Sequence, residues 1–589
     1  MGRLLLFSTI VFAHLLFHTK DAAALKYTSI ASGNFSSSTT WLGGIIPPVN
    51  INTSDTVLIE SGHNVIMDQD MTLSQAGAQL DVRGILRSSG SEHINFSGSA
   101  MLSVSGTLDI DSINLVNVTN TNITGQCTVN KLRCLIFSAS GSGTIIITQR
   151  LHVYGSLSNT GGNTITIGPN AEIYMSGGEI IPSGTGIFTL PSSYDVIYSG
   201  GAFAKPTGPE IDGVGLRHVT IDLLSDTSEL KLGSDLGIGK GTLSLAKGIL
   251  VLNNKHLRFG GTGAIAATGT GKIKSTSASD VEINVTGSLS GQLQFSANGN
   301  TVRNLVVNCG GSAKLGSALK VTGKVDFQSG KLDVQGNKLS LITGATISGA
   351  DGNKYIITGT GGSLAADIGS GASFVYHIGT AAGYMPCVIS SNNNTVYNGM
   401  SVGANPGVKV FGTSGNDMAA SQPMVNATWF IEHVNTSVDI DVELMWSAAG
   451  EVNSFDRSNA YISHLIGNYW DKDVTAAATL NANSLYSVKR TSITSLSPFA
   501  VFDRNTVDIK EVHAANQISI YPNPVIDVMY IQSAGAAGAI IVNSSGQLVQ
   551  KTELKAGTNS INTYDLLPGT YFIIIQGNEH TFNQRFIKH

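Results

Sequence analysis

Gln79-Leu80-Asp81-Val82-Arg83-Gly84, Leu102-Ser103-Val104-Ser105-Gly106 and Leu151-His152-Val153-Tyr154-Gly155 say one thing three times. Apolar and polar residues alternate for a few positions, and a glycine closes the run. Strict alternation puts the apolar side chains on one face of a strand. A strand that short cannot bury its apolar face alone, so it has to stack on others like it. From about residue 80 to 180 the pattern predicts the turns of a parallel β-solenoid. Composition points the same way. Charged residues make up 13% of the 589, and 68 positions are glycine. Glycine is poor in helix interiors, and the many Val, Ile, Thr and Ser favour strands. The expectation is an all-β chain of several domains.

A second reading works on a longer scale. Leu216-Arg217-His218-Val219-Thr220-Ile221-Asp222 has the apolar register of Val302-Arg303-Asn304-Leu305-Val306-Val307-Asn308. Lys231-Leu232-Gly233-Ser234 likewise matches Lys314-Leu315-Gly316-Ser317, and Gly248 to Leu252 matches Gly330 to Val334. Leu257 and Phe259 match Leu339 and Leu341. Two repeat units of roughly 80–86 residues are therefore expected within 191–366. The second unit has Asn304 where the first has His218, so Arg217 and His218 read as scaffold positions rather than a reactive pair.

Near Asp367 the texture changes. Three of the four tryptophans, Trp429, Trp446 and Trp470, fall in the next stretch. Val438-Asp439-Ile440-Asp441-Val442-Glu443-Leu444 alternates strictly, as a half-buried antiparallel strand does. Residues 367–505 are expected to be a β-sandwich-like module, with 506–516 a polar linker. At the other end, Arg3 precedes an apolar run from Leu4 to Phe17 and then Ala22-Ala23-Ala24. That run is shorter than the ~20 residues of a membrane span. It reads as a signal peptide, residues 1–24, with no transmembrane segment elsewhere.

The candidate chemistry is sparse. Asp439, Asp441 and Glu443 share one strand face, which suits either a calcium site or ordinary solvated carboxylates. Trp429, Trp446, Tyr469 and Trp470 could stack on sugar rings, or fill a core. Cys127 and Cys134 are close enough in sequence for a local disulfide; the alternative is two buried thiols. His63 lies alone in a Gly-His turn. Gly237-Ile238-Gly239-Lys240-Gly241 and Gly269-Thr270-Gly271-Lys272 lack the full phosphate-loop spacing and a following helix. There is no Gly-x-Ser-x-Gly and no His-Glu-x-x-His. A net charge of −5 without a basic cluster argues against nucleic acid.

Two resemblances add to this. Thr40-Trp41-Leu42-Gly43-Gly44, Pro47-Pro48, Asp55 to Ile59 and Ser61-Gly62-His63 follow one another in the order that opens G8-like β domains. With the strands after them they define a region expected over 25–190. The last residues, about 517–589, begin Tyr521-Pro522-Asn523-Pro524, pass through Leu567-Pro568-Gly569-Thr570-Tyr571, and end on Arg585-Phe586-Ile587-Lys588. This resembles the type A C-terminal sorting domains of the type IX secretion system, small β-sandwiches. The resemblance implies a Gram-negative bacterium and passage through the periplasm. It also implies recognition by the type IX machinery, removal of the domain, and a body attached to surface lipopolysaccharide or released. For the body the leading expectation is a non-enzymatic, adhesin-like surface protein without a cofactor. Its partners would be glycans or host and matrix surfaces. The alternatives are a polysaccharide-degrading enzyme and a glycan-binding protein on a solenoid scaffold.

Overall fold

A computed structural model describes residues 24–504 and 519–589, apart from 183–184, 343, 436, 482, 534 and 577–580. Residues 1–23 of the expected signal peptide and the whole expected linker lie outside the described residues. Strands take up 57% of the chain, and helical structure is confined to short 3-10 turns among the described residues.

The chain winds into a parallel β-solenoid of about fifteen turns. One inner row reads Met71, Ile94, Ile113, Leu132, Leu151, Ile173, Val196, Val219, Leu243 and Ile265, each beside the next in parallel register. A second reads Val65, Leu86, Leu108, Cys127, Ile145 and Ile165. All of these side chains are buried. Each is worth roughly 1.5–3 kcal/mol relative to exposure, so the stack of rows holds the shaft together. Successive turns take roughly 18 to 25 residues, the length of a solenoid rung.

The closing glycines sit at a corner. Gly106 and Gly125 donate their N–H groups to Val82 O and Val104 O of the preceding turn, both at 3.0 Å. A Cβ on Gly106 would lie 2.0 Å from Gly84 O, on Gly125 2.1 Å from Gly106 O, and on Gly143 2.2 Å from Gly125 O. The turns approach too closely at this corner for any side chain.

The 80–86-residue period is not the stacking period. Leu216–Asp222 lies between Tyr194–Ser199 and Thr242–Lys247. Thr301–Lys314 lies between Asp280–Val285 and Leu319–Asp333, in a different sheet. Every face of the solenoid carries the same in-out alternation, so strands from different faces match by pattern without stacking.

The parallel order gives way at Ser363–Ile368. This strand pairs parallel with Lys338–Leu341 on one side and antiparallel with Tyr397–Pro406 on the other. Beyond it, Ser373–Tyr376, Cys387–Ser391, Ser437–Trp446, Tyr486–Ser495 and Thr479–Leu480 form an antiparallel sheet. It packs on Ala427–Glu432, Ala460–Ile466 and Pro498–Asp503, which extend the solenoid sheet. One apolar core runs from Phe35 through the solenoid to Val501. Residues Ile520 to Phe586 have a separate core of their own.

Candidate functional site

The last domain faces a three-stranded sheet, Ser519–Tyr521, Val528–Ser533 and Gly557–Asn562, against a four-stranded one. The latter comprises Ala537–Asn543, Leu548–Leu554, Gly569–Gln576 and Thr581–Lys588. Alternate residues Met529, Ile531, Ile541, Ile573, Ile575 and Phe586 point inward and are buried.

The motifs read from sequence meet at the final strand. Asn523 Nδ2 donates to Arg585 O at 3.1 Å, and Ile587 N–H donates to Asn523 Oδ1 at 3.0 Å. Val525 N–H donates to Ile587 O at 2.8 Å, and His589 N–H to Val525 O at 2.9 Å. Asn523 stands between two prolines that have no N–H to give, and its amide supplies the donor and acceptor a strand would have offered. Tyr521 stacks on Tyr530 with ring centroids 5.7 Å apart. Tyr571 OH donates to Leu567 O at 2.9 Å, and its ring stacks at 5.7 Å on Phe586. Lys588 is buried and donates to His589 O at 2.6 Å. Arg585 is exposed beside Phe572, on an outer face that also carries Ile587. Asn523→Ala removes two hydrogen bonds to the last strand. Thermal unfolding of the domain should show a loss of about 1–3 kcal/mol, and Asn523→Asp, which keeps the acceptor, a smaller one.

Fold and geometry together define an all-β protein with a solenoid body and a small C-terminal β-sandwich that has its own core. Residues 519–589 match the family of secretion system C-terminal sorting domains, and this tail marks the chain for type IX export to the cell surface. Comparison with curated proteins gave no match. One solved structure that is similar is PorZ, a surface component of the type IX secretion system of Porphyromonas gingivalis, at 12% identity. The match covers 37% of this chain and 39% of that one, with a TM-score of 0.12. It thus spans about two fifths of PorZ's length, and a superposition that poor does not define a common fold.

The other candidate residues are dispersed. Asp439, Asp441 and Glu443 do line one face, but Asp441 pairs with Lys489 at 2.8 Å and accepts from Asn392 Nδ2 at 2.6 Å. No cluster of three metal-binding side chains forms among the described residues. Lys489 offsets part of the repulsion among these carboxylates, as on an ordinary solvated strand face. Trp429 and Trp446 are wholly buried, donating to Met385 O at 3.0 Å and to Glu451 Oε1 at 2.8 Å. The sugar-stacking platform is therefore not assembled, because two of its rings fill the core. Trp446→Ala should cost about 3–5 kcal/mol in a denaturant melt rather than remove a surface contact.

The disulfide between Cys127 and Cys134 is not formed either. Both are buried free thiols, Cys127 in the row with Leu108 and Ile145, Cys134 in that with Leu115 and Val153. The rows belong to different parts of the turn, which keeps the sulfurs apart. Burial, with Asp109 nearby for Cys127, pushes each thiol up to about 12. Neither should react with a thiol reagent in the folded protein, and a reducing agent should leave the melting temperature unchanged. His63 Nδ1 lies 2.9 Å from Ser29 Oγ within the first turns. Gly269 and Gly271 line a cleft of about 670 Å³ together with Asp226, Lys272, Gln292 and Gln294.

Sequence reading missed the ladders on the outer faces. Arg217 forks onto Asp195 at 2.8 and 3.0 Å, Arg150 pairs with Glu172, Arg258 with Glu282, and Arg303 with Asp280. Each partner lies about one turn away in sequence. Beside them Arg133 sits 4.2 Å over the Tyr154 ring, whose neighbour His152 stacks at 4.0 Å. Burial, then Arg133 and Arg150, hold His152 down to about 4, so it is neutral at ordinary pH. Offsetting charges by the turn length would have exposed these pairs.

Proposed function

We propose that the chain is a non-enzymatic, adhesin-like surface protein whose solenoid is displayed outside the cell. After the sorting domain is removed, the body is held on surface lipopolysaccharide. The observation that carries this reading is the outer-face ladder. Asp195, Asp280, Glu172 and Glu282 are tied to arginines of the adjoining turn, an arrangement that holds charge fixed for rigidity rather than leaving a carboxylate ready to move a proton. Sugar hydrolysis needs two carboxylates facing one bond. Of the residues lining the 670 Å³ cleft only Asp226 is a carboxylate, and it accepts from Thr270 Oγ1 at 2.6 Å. The surface-delivered protein should turn over none of a panel of acidic and neutral glycans. Turnover abolished by one carboxylate substitution would overturn the reading in favour of a polysaccharide-degrading enzyme.

The sorting domain's outer face, with Phe572 39% exposed beside Arg585, is the surface offered to the type IX machinery. Phe572→Glu should lower surface delivery severalfold while leaving the domain's melting temperature within a degree or two.

A further inference from the structure

The cleft of about 670 Å³ lies where two successive turns of the solenoid diverge. Ile265 N–H donates to Ser290 O at 2.9 Å, and Ile273 N–H donates to Gln294 O at 2.7 Å. Between those two points the chain runs from 265 to 273 on one turn but only from 290 to 294 on the next. The surplus, residues 266–271, has to bulge outward. Its tip is pinned. Thr270 Oγ1 donates to Asp226 Oδ1 at 2.6 Å, and Gly271 N–H donates to Leu245 O at 3.1 Å. A Cβ on Gly269 would lie 2.1 Å from Leu245 O, so the bulge sits hard against the preceding turn. The cleft beside it is therefore preformed, and a preformed site gives up little entropy on binding.

Its lining is mixed. Leu245, Ile249 and Ile265 are buried or half-buried and supply an aliphatic floor. Gln292 and Gln294 stand on the following turn, and Gln292 Nε2 donates to Gln294 Oε1 at 3.1 Å. That leaves Gln292 Oε1 and Gln294 Nε2, one acceptor and one donor, for a ligand. Lys272 is exposed and has no ion-pair partner among the described residues. Glu229 is aligned with it through Ile249, but is taken by Lys274 at 2.7 Å. Ser296 also lines the cleft, and its Oγ has no hydrogen-bond partner among the described residues, although a hydroxyl out of solvent ordinarily has one.

We propose that this cleft binds, without cleaving, a short stretch of an acidic glycan. Ring C–H faces lie on the aliphatic floor, hydroxyls meet Gln292 and Gln294, and one carboxylate meets Lys272. A lysine ammonium is a compact point charge that suits a single carboxylate. The lining residues come from four successive turns, a run of roughly 14 Å at ~4.8 Å per turn, which suits an extended chain of a few sugars. An extended peptide would instead seek unpaired backbone at a sheet edge. Here that backbone is occupied, since Ile265, Ile273 and Ser296 all donate to adjoining turns. The proposal rests on the reading of the body as a non-enzymatic surface protein and gives that protein a ligand.

The test is calorimetric titration of the exported protein with tetrasaccharides of galacturonate, hyaluronan and alginate. At least one should bind, and Lys272→Met should weaken it at least tenfold while Lys272→Arg restores it. Methyl esterification of the bound sugar's carboxylates should weaken wild-type binding to the same degree and leave Lys272→Met unaffected. Gln292→Ala/Gln294→Ala should weaken both forms severalfold. These side chains stand at the surface of the cleft, so the circular dichroism melt should not move. If the double variant does not fold, Gln292→Ala replaces it. Binding of none of the three sugars, or binding indifferent to Lys272→Met, would overturn the proposal and leave the non-enzymatic reading intact. Equal binding of a tetraglutamate peptide would overturn it in favour of an acidic peptide. Cleavage of the bound sugar would overturn both the proposal and the non-enzymatic reading.

Discussion

Deleting residues 519–589 is expected to abolish surface delivery and leave the remainder in the periplasm. The effect should be nearly complete, because the sorting domain is the part of the chain that carries the address. It should also be cleanly interpretable. The body's core runs from Phe35 to Val501 and shares no residue with the core of the last domain. The truncated chain therefore keeps its apolar rows and should melt at the temperature of the full one. Protease shaving of intact cells, followed by fractionation, checks this. Full-length surface signal from the truncated chain would refute it.

The second large effect lies in the shaft. Gly106→Ala places a methyl group 2.0 Å from Gly84 O and 2.4 Å from Arg83 O. These are backbone atoms of the adjoining turn, so no side-chain rotation relieves the clash. The turns must separate, and the inner rows on either side separate with them. Overpacking of this kind costs about 1–3 kcal/mol, and rigid backbone on the far side puts this site at the upper end. Gly62→Ala is the control. Its Cβ would meet nothing within 4 Å, but at φ 84° it carries backbone strain alone, which should cost about 1 kcal/mol. Denaturant melts of the two variants separate close approach from conformational strain. Equal losses would mean that the glycine corner does not set the spacing of the turns.

These two cases show what the sequence made legible. Leu80, Leu102 and Leu151 could be read as inward because burial leaves a period-two trace that any strand must obey. The glycines after them could be read as turn-closing, although their reason is the close approach of the preceding turn rather than a left-handed backbone. Tyr521 to Pro524 and Arg585 to Lys588 were visible as motifs, but only folding brings Asn523 against Arg585 and Ile587. Contacts across turns left a fainter trace. Arg217 and Asp195 meet because one turn of chain separates them, and the 80–86-residue pattern concealed that shorter period. Trp446 and Trp429 have the composition of a sugar platform, and whether a tryptophan faces in or out depends on the opposing sheet. Cys127 and Cys134 are near in sequence yet enter different rows.

The most direct measurement grafts residues 519–589 onto a stably folded periplasmic reporter in a bacterium that carries the type IX machinery. The account expects the reporter on the cell surface, accessible to antibody on intact cells, with Phe572→Glu in the graft lowering that signal. A reporter that remains in the periplasm with the graft folded would contradict it.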